Sequence, residues 1–174
     1  LETDLSQTTE RLSKKNNFLV SDEDVRRVAK EFGLNEGQRI ALKHLTQSDN
    51  LALVVGVAGS GKTYMLKAAK AVWEASGYQV RGVAFSGRAA AGLENDAGIR
   101  SQTIAGFMKG MSQGYAQFGP SDILVMDEMG MTSLDDMHQV TNVVAAAGGK
   151  FAGVGDTEQT QPVGRGAPMR AMIE

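Results

Sequence analysis

A parallel α/β fold, with one sheet and helices on both of its faces, is what this sequence predicts. Three observations lead there. Short apolar runs recur at residues 51–55, 80–85, 123–126 and 151–154, and helical stretches separate them. Such continuous runs suit strands buried on both faces, and the alternation suits right-handed crossovers. Between the first run and its helix stands Gly56-Val57-Ala58-Gly59-Ser60-Gly61-Lys62-Thr63, which fits the phosphate-loop pattern GxxxxGK[ST] in full.

Each element can be justified in order. Residues 1–20 are polar, with Lys14-Lys15 as a basic patch, and read as a linker with at most one loose helix. Ser21-Asp22-Glu23-Asp24 reads as a capping box, with Val25, Val28, Ala29 and Phe32 following at helical spacing up to Gly33. Asn35 starts a second helix through Ile40, Ala41, His44 and Leu45. The first strand, the phosphate loop and a helix over 62–75 come next, and Ser76-Gly77 stops that helix. After the second strand, residues 86–93 read as helix and Asn95 to Gly98 as irregular chain. Ser101 reads as the cap of a short helix through Thr103, Ile104 and Phe107, and residues 110–120 as a loop. The third strand ends in Asp127-Glu128, residues 133–147 form a helix stopped by Gly148-Gly149, and the fourth strand ends in Gly155-Asp156. A last helix is expected near Pro168.

Composition narrows the function. The 174 residues, 42% hydrophobic and 22% charged, suit one globular domain. The net charge of −2 leaves no global field for nucleic acid, so any DNA track has to be local. With no cysteine there is no disulfide, thiolate metal site or cysteine nucleophile, and His44 and His138 show no ligand spacing. No apolar run approaches the length of a membrane helix, and a cytoplasmic location is expected. The chain reads as a piece of a longer protein.

The chemistry concentrates in three places. The glycines of the phosphate loop, Gly56, Gly59 and Gly61 with Ser60 between, let backbone N–H groups converge on phosphate oxygens at a helix N-terminus. Lys62 can reach the β- and γ-phosphates of ATP, and the Thr63 hydroxyl can ligate Mg²⁺. Asp127 can hold the metal, and Glu128 can take a proton from an attacking water. Gln159, after the fourth strand, can reach a γ-phosphate, although local composition alone favours a turn after an edge strand.

In this order the motifs resemble a superfamily 1 helicase of the RecD-like branch. Residues 34–39, with Gln38, look like its adenine-reading Q motif; residues 84–90, with Ser86, Gly87 and Arg88, resemble motif Ia; residues 101–104, with Thr103, resemble motif Ib; residues 155–163 resemble motif III. The tract 51–93 and the run 101–107 further resemble the helicase portion of conjugative relaxase–helicases of the TraA and TraI type. Ala105 and Thr160 depart from the patterns common there.

The resemblance implies a RecA-like P-loop NTPase domain over residues 34–174, preceded by a linker and helical segment over 1–33. It implies that the strand ending at Asp156 lies between the strand of the phosphate loop and the strand ending at Glu128. It implies single-stranded DNA as a partner, touched by Ser86, Gly87, Arg88 and Thr103. A second RecA-like domain of the same protein would supply an arginine, so this stretch alone is expected to turn over little ATP. The alternatives are a degenerate module that only grips single-stranded DNA, or another P-loop enzyme such as a nucleoside kinase.

Overall fold

A computed structural model of the chain describes residues 2–56 and 61–156. Gly59, Ser60, Gln159 and the helix expected near Pro168 lie outside the described residues. The elements, in order, are α1 (Glu2–Ser13), α2 (Asp22–Glu31), α3 (Glu36–Leu45), β1 (Leu51–Gly56), α4 (Lys62–Ala75), β2 (Gln79–Ala84), α5 (Gly87–Ala97), β3 (Ser101–Thr103), α6 (Ile104–Gln113), β4 (Asp122–Met126), α7 (Leu134–Ala147) and β5 (Lys150–Asp156). A single 3-10 turn, Met129–Met131, follows β4.

The five strands form one sheet in the order β1-β5-β4-β2-β3. All four pairings are parallel. The strand ending at Asp156, β5, therefore lies between the phosphate-loop strand and the strand of the acids, as the resemblance implies. It is central, not an edge strand. Every residue of β5 is buried. At Gly153 a Cβ would crowd Met129 Sδ and Leu53, so a larger residue there would make those side chains shift.

Side chains alternate across the sheet with the period of two that strands impose. Ile123, Val125, Ala152 and Val154 join Leu42, Leu66, Val72 and Trp73 in the core under α2 to α5. Leu124, Met126 and Phe151 join Phe107, Met137, Val140 and Val144 in the core under α1, α6 and α7.

The start of the chain is not loose. Helix α1 lays Leu5 and Leu12 into the second core, and Thr8 Oγ1 donates to Asn142 Oδ1 at 2.9 Å. Its apolar positions are few and threonines share its buried face, which is why its periodicity is faint in the sequence. The chain beyond it is tied down by the buried Asn50. That side chain accepts from Asn17 N–H at 3.0 Å and donates to the Gly149 carbonyl at 3.1 Å, while Asn50 N–H donates to the Lys15 carbonyl at 2.9 Å.

Three local readings change. Ser101 is the first residue of a fifth strand, because residues 101–103 pair with Gly82, Val83 and Ala84. Thr103, not Ser101, caps α6, accepting from Gly106 N–H at 3.0 Å. Helix α5 continues through Asn95 and Asp96 and stops at Gly98, whose φ of 69° suits glycine. Likewise α6 runs on to Gln113 and takes the first part of the expected 110–120 loop.

At the N-terminal end of β5, Lys150 is fully buried. Its Nζ donates to the Gln47 carbonyl at 2.5 Å and lies 5.5 Å from the centre of the Trp73 ring. Burial pushes its amine down from 10.5 to about 7, against the attraction of Asp49. The unfolded chain then binds the extra proton between pH 7 and the ordinary lysine range, so stability rises with pH across that window. The slope is up to about 1.4 kcal/mol per pH unit. Lys150→Met keeps the apolar stem and removes the amine. Denaturant unfolding at pH 6, 7.5 and 9 should show a flatter pH dependence for this variant and a gain in stability that is largest at pH 6.

Candidate functional site

The described helices differ in how they begin. Helices α2, α3, α5, α6 and α7 are capped by the side chains of Ser21, Asn35, Ser86, Thr103 and Ser133. Helix α4 begins after Gly61, which has φ 77° and offers no side-chain cap. No side chain competes for its first turn, where the partial positive charge of a helix N-terminus favours anions. This is the point at which the phosphate loop delivers Lys62 and Thr63.

The parallel register brings acids to the same edge. Gly56 pairs with Asp156 across β1 and β5. Asp156 is 2% exposed at its side chain, and its Oδ2 stands 3.8 Å from Lys62 Nζ. Asp156 was not singled out from the sequence as a site residue. Its signal was the acid at the end of an apolar run, and its place beside Lys62 depends on β5 being inserted next to β1.

Asp127 and Glu128 leave the end of β4. Asp127 Oδ1 accepts from Glu128 N–H at 2.8 Å. Glu128 has φ 52°, the one positive φ among the described non-glycine residues. Left-handed backbone at such a residue stores strain of order 1 kcal/mol, and it turns the Glu128 side chain out of the strand direction. Burial pushes the Asp127 carboxyl up, opposed by the Glu128 N–H bond and by Lys62. Burial also pushes Glu128 up, the Asp127 charge adds to this, and Lys62 opposes it.

A cavity of about 330 Å³ opens here, and its lining includes Thr63, Phe85, Ser86, Arg88, Asp127 and Glu128. The residues expected at the metal thus share one hollow with five of the motif Ia positions, Ala84, Phe85, Ser86, Arg88 and Ala89. Arg88 and Gly87 are exposed. Ser86 Oγ accepts from Ala89 N–H at 3.1 Å, which commits a lone pair and leaves its O–H to donate. Thr103 is not part of this lining.

Gln38 lies on the other side of Gly61. It closes a full capping box with Asn35: Gln38 N–H donates to Asn35 Oδ1 at 2.8 Å, and Gln38 Oε1 accepts from Asn35 N–H at 3.0 Å. Its Nε2 donates to the Gly61 carbonyl at 3.4 Å. Close by, the Tyr64 hydroxyl donates to the Phe32 carbonyl at 2.7 Å, and the two rings sit 5.6 Å apart. The structure therefore brings Gln38, Gly61, Lys62, Thr63, Asp127 and Glu128 together. Among the described residues no group of three or more His, Cys, Asp or Glu is placed to hold a metal ion.

The raised Asp127 pKa has a stability consequence. A carboxyl held above its unfolded value costs stability once pH exceeds the ordinary carboxylate range, and the cost disappears on acidification below it. Asp127→Asn keeps an oxygen for the Glu128 N–H and removes the buried charge. Its melting temperature should exceed that of the unaltered chain at pH 7.5, with the gap closing towards pH 4 in thermal denaturation followed by circular dichroism.

Comparison with known proteins agrees with this geometry. The AAA domain family model matches residues 33–174. The probable conjugal transfer protein TraA of Sinorhizobium fredii is 42% identical over 141 residues, which is 81% of this chain and 13% of that protein. The multifunctional conjugation protein TraI of Escherichia coli is 31% identical over 79% of this chain and 8% of its own length. The ATP-dependent RecD2 DNA helicase of Deinococcus radiodurans is 29% identical over 82% of this chain and 20% of its own length. The chain thus spans about an eighth or less of the conjugation proteins it matches. It belongs to the AAA domain family, and its relatives are those its motifs resemble, RecD-like helicases and conjugation proteins of the TraA and TraI type.

Proposed function

We propose that this chain is the first motor domain of an ATP-driven DNA helicase that serves conjugative DNA transfer in the cytoplasm. The observation that carries the reading is the meeting of Lys62, at an uncapped helix N-terminus, with Asp127, Glu128 and Asp156 at one end of a parallel sheet. Residues 34–174 form the ATP-binding unit in this reading, and residues 1–33 precede it.

The roles follow from the residues. The loop 56–63 and the first turn of α4 cradle the phosphates, with Gly56, Gly59, Ser60 and Gly61 supplying N–H groups. The buried Asp156 holds the Lys62 ammonium over that turn until the β- and γ-phosphates take it. Thr63 and Asp127 would hold Mg²⁺, which when bound shields the phosphate charge. Burial and the Asp127 charge raise the affinity of Glu128 for a proton, as suits a base that receives one from the attacking water. Gln159 reports on the γ-phosphate. The completeness of this set speaks against a module that only grips DNA.

Gln38 is suited to adenine by what its capping box leaves over. One lone pair of Oε1 and one hydrogen of Nε2 are used within the protein. One acceptor and one donor remain, the complement of the adenine N6 and N7 edge. The Asn35 N–H also forbids swapping the amide's oxygen and nitrogen.

Single-stranded DNA would run past Ser86, Gly87, Arg88 and Thr103, by hydroxyl and backbone N–H contacts to phosphates and by the Arg88 charge. An arginine from a second RecA-like domain of the same protein would complete the hydrolytic site, so this domain alone would bind ATP and turn it over slowly.

Lys62→Ala removes a charge-assisted phosphate contact worth about 1.5–3 kcal/mol. Calorimetry with ADP and Mg²⁺ should show at least a tenfold loss of affinity. Equal binding by the two proteins would end the nucleotide reading. Arg88→Ala, in the full-length helicase, should lower affinity for a single-stranded oligonucleotide and flatten its salt dependence by about one charge. Identical salt titrations would remove Arg88 from the track.

A further inference from the structure

We propose that Tyr64 is a specificity-determining residue: it clamps the turn that carries Gln38 onto the first turn of α4, and so sets a preference for adenine over guanine nucleotides. This rests on the nucleotide-binding reading above and adds a residue to it. Gln38 can tell purines apart only if its amide is held in place relative to the phosphates. Its capping box fixes the amide within α3 but does not fix α3 against α4.

Besides the core packing of α3 on α4, one hydrogen bond ties Gln38 itself to the start of α4 and another ties α4 to the end of α2, just ahead of α3. Gln38 Nε2 to the Gly61 carbonyl is long, at 3.4 Å. Tyr64 hydroxyl to the Phe32 carbonyl is short, at 2.7 Å, and is backed by the tilted Phe32–Tyr64 ring contact. Phe32 is the C-cap of α2, so its carbonyl is one that a helix end leaves without an intrahelical donor. Gly33 then reverses the chain with φ 61°, and Asn35 opens α3. Tyr64 therefore grips the chain just ahead of the Gln38 cap.

The fit is tight enough to transmit a slip. A Cβ on Gly61 would overlap Gln38 Nε2, so a small shift of the turn moves the amide against the phosphate loop. Adenine offers a donor at N6 and an acceptor at N7, whereas guanine offers acceptors at O6 and N7. A held amide puts its carbonyl against guanine O6 and rejects it. A loosened turn lets the amide retreat, and the rejection weakens. Tyr64 is 43% exposed, so its hydroxyl and ring hold the turn without filling the core.

The test compares Mg²⁺ complexes of ADP, GDP and inorganic tripolyphosphate by calorimetry on the full chain, for the unaltered protein, Tyr64→Phe and Tyr64→Leu, with thermal unfolding alongside. Tyr64→Phe should cut the ADP-over-GDP preference about fivefold, the factor of one lost neutral hydrogen bond. Tripolyphosphate affinity should stay within about twofold and the melting temperature should hold. Tyr64→Leu should cut the preference further; if it does not fold, Tyr64→Phe, which keeps the ring, decides the matter. An unchanged preference in Tyr64→Phe overturns the proposal. So does an equal loss for all three ligands, which would make Tyr64 a support of the phosphate cradle alone. An unaltered protein that binds tripolyphosphate but does not prefer ADP to GDP overturns it while leaving the cradle standing. Failure to bind any of the three sinks the nucleotide reading itself.

Discussion

Everything at the site depends on the insertion of β5 between β1 and β4. Until that strand is in place, β1 and β4 have no common neighbour, and Lys62 and Asp127 belong to separate parts of the chain. The insertion is demanding. It pairs Leu51 with Phe151 and Ile123 with Lys150, and it buries all seven residues from Lys150 to Asp156. It accepts a fully buried lysine at one end and a nearly buried aspartate at the other. Pairings of such sequence separation close late and slowly, because the loop entropy must be spent before the contacts form.

The two buried charges of β5 are treated differently. Lys150 meets a carbonyl and an aromatic face, with Asp49 as an attracting charge, and its amine loses basicity. Asp156 meets the Lys62 ammonium at the edge where the phosphate loop opens. A buried acid of this kind costs desolvation, which an opposite charge beside it offsets. Here it fixes where a mobile four-carbon side chain ends. On the neighbouring strand, the left-handed backbone of Glu128 is a second local cost at the same edge.

The sheet was legible where its strands are apolar throughout. Residues 51–55 and 123–126 read as strands, although 51–55 form a half-buried strand at the end of the described sheet while 123–126 lie inside it, and the phosphate loop between strand and helix located the site. β3 was not legible: three polar residues, Ser101 to Thr103, carry no periodicity, and they are a strand because β2 offers them a ladder. Helix α1 hid for a related reason, since Leu5 and Leu12 are its main apolar anchors and Thr8 is buried by virtue of Asn142. The Lys62–Asp156 contact depended on strand order, a property of the whole sheet that no local window contains. Glu128 shows the limit most plainly, because nothing in Asp-Glu-Met-Gly announces a positive φ.

The Asn50 clasp gives the domain a mechanical polarity. It binds Lys15 and Asn17 to the Gly149 turn at the N-terminal ends of β1 and β5. The phosphate loop and the acids stand at the opposite ends, about 20 Å away at the rise of a six-residue strand. Tension pulled through the segment ahead of Phe18 is thus delivered to the foot of the sheet. There it meets the Asn50 hydrogen bonds and the α1–α7 packing before it reaches the strand tips that bear Lys62, Asp127 and Asp156.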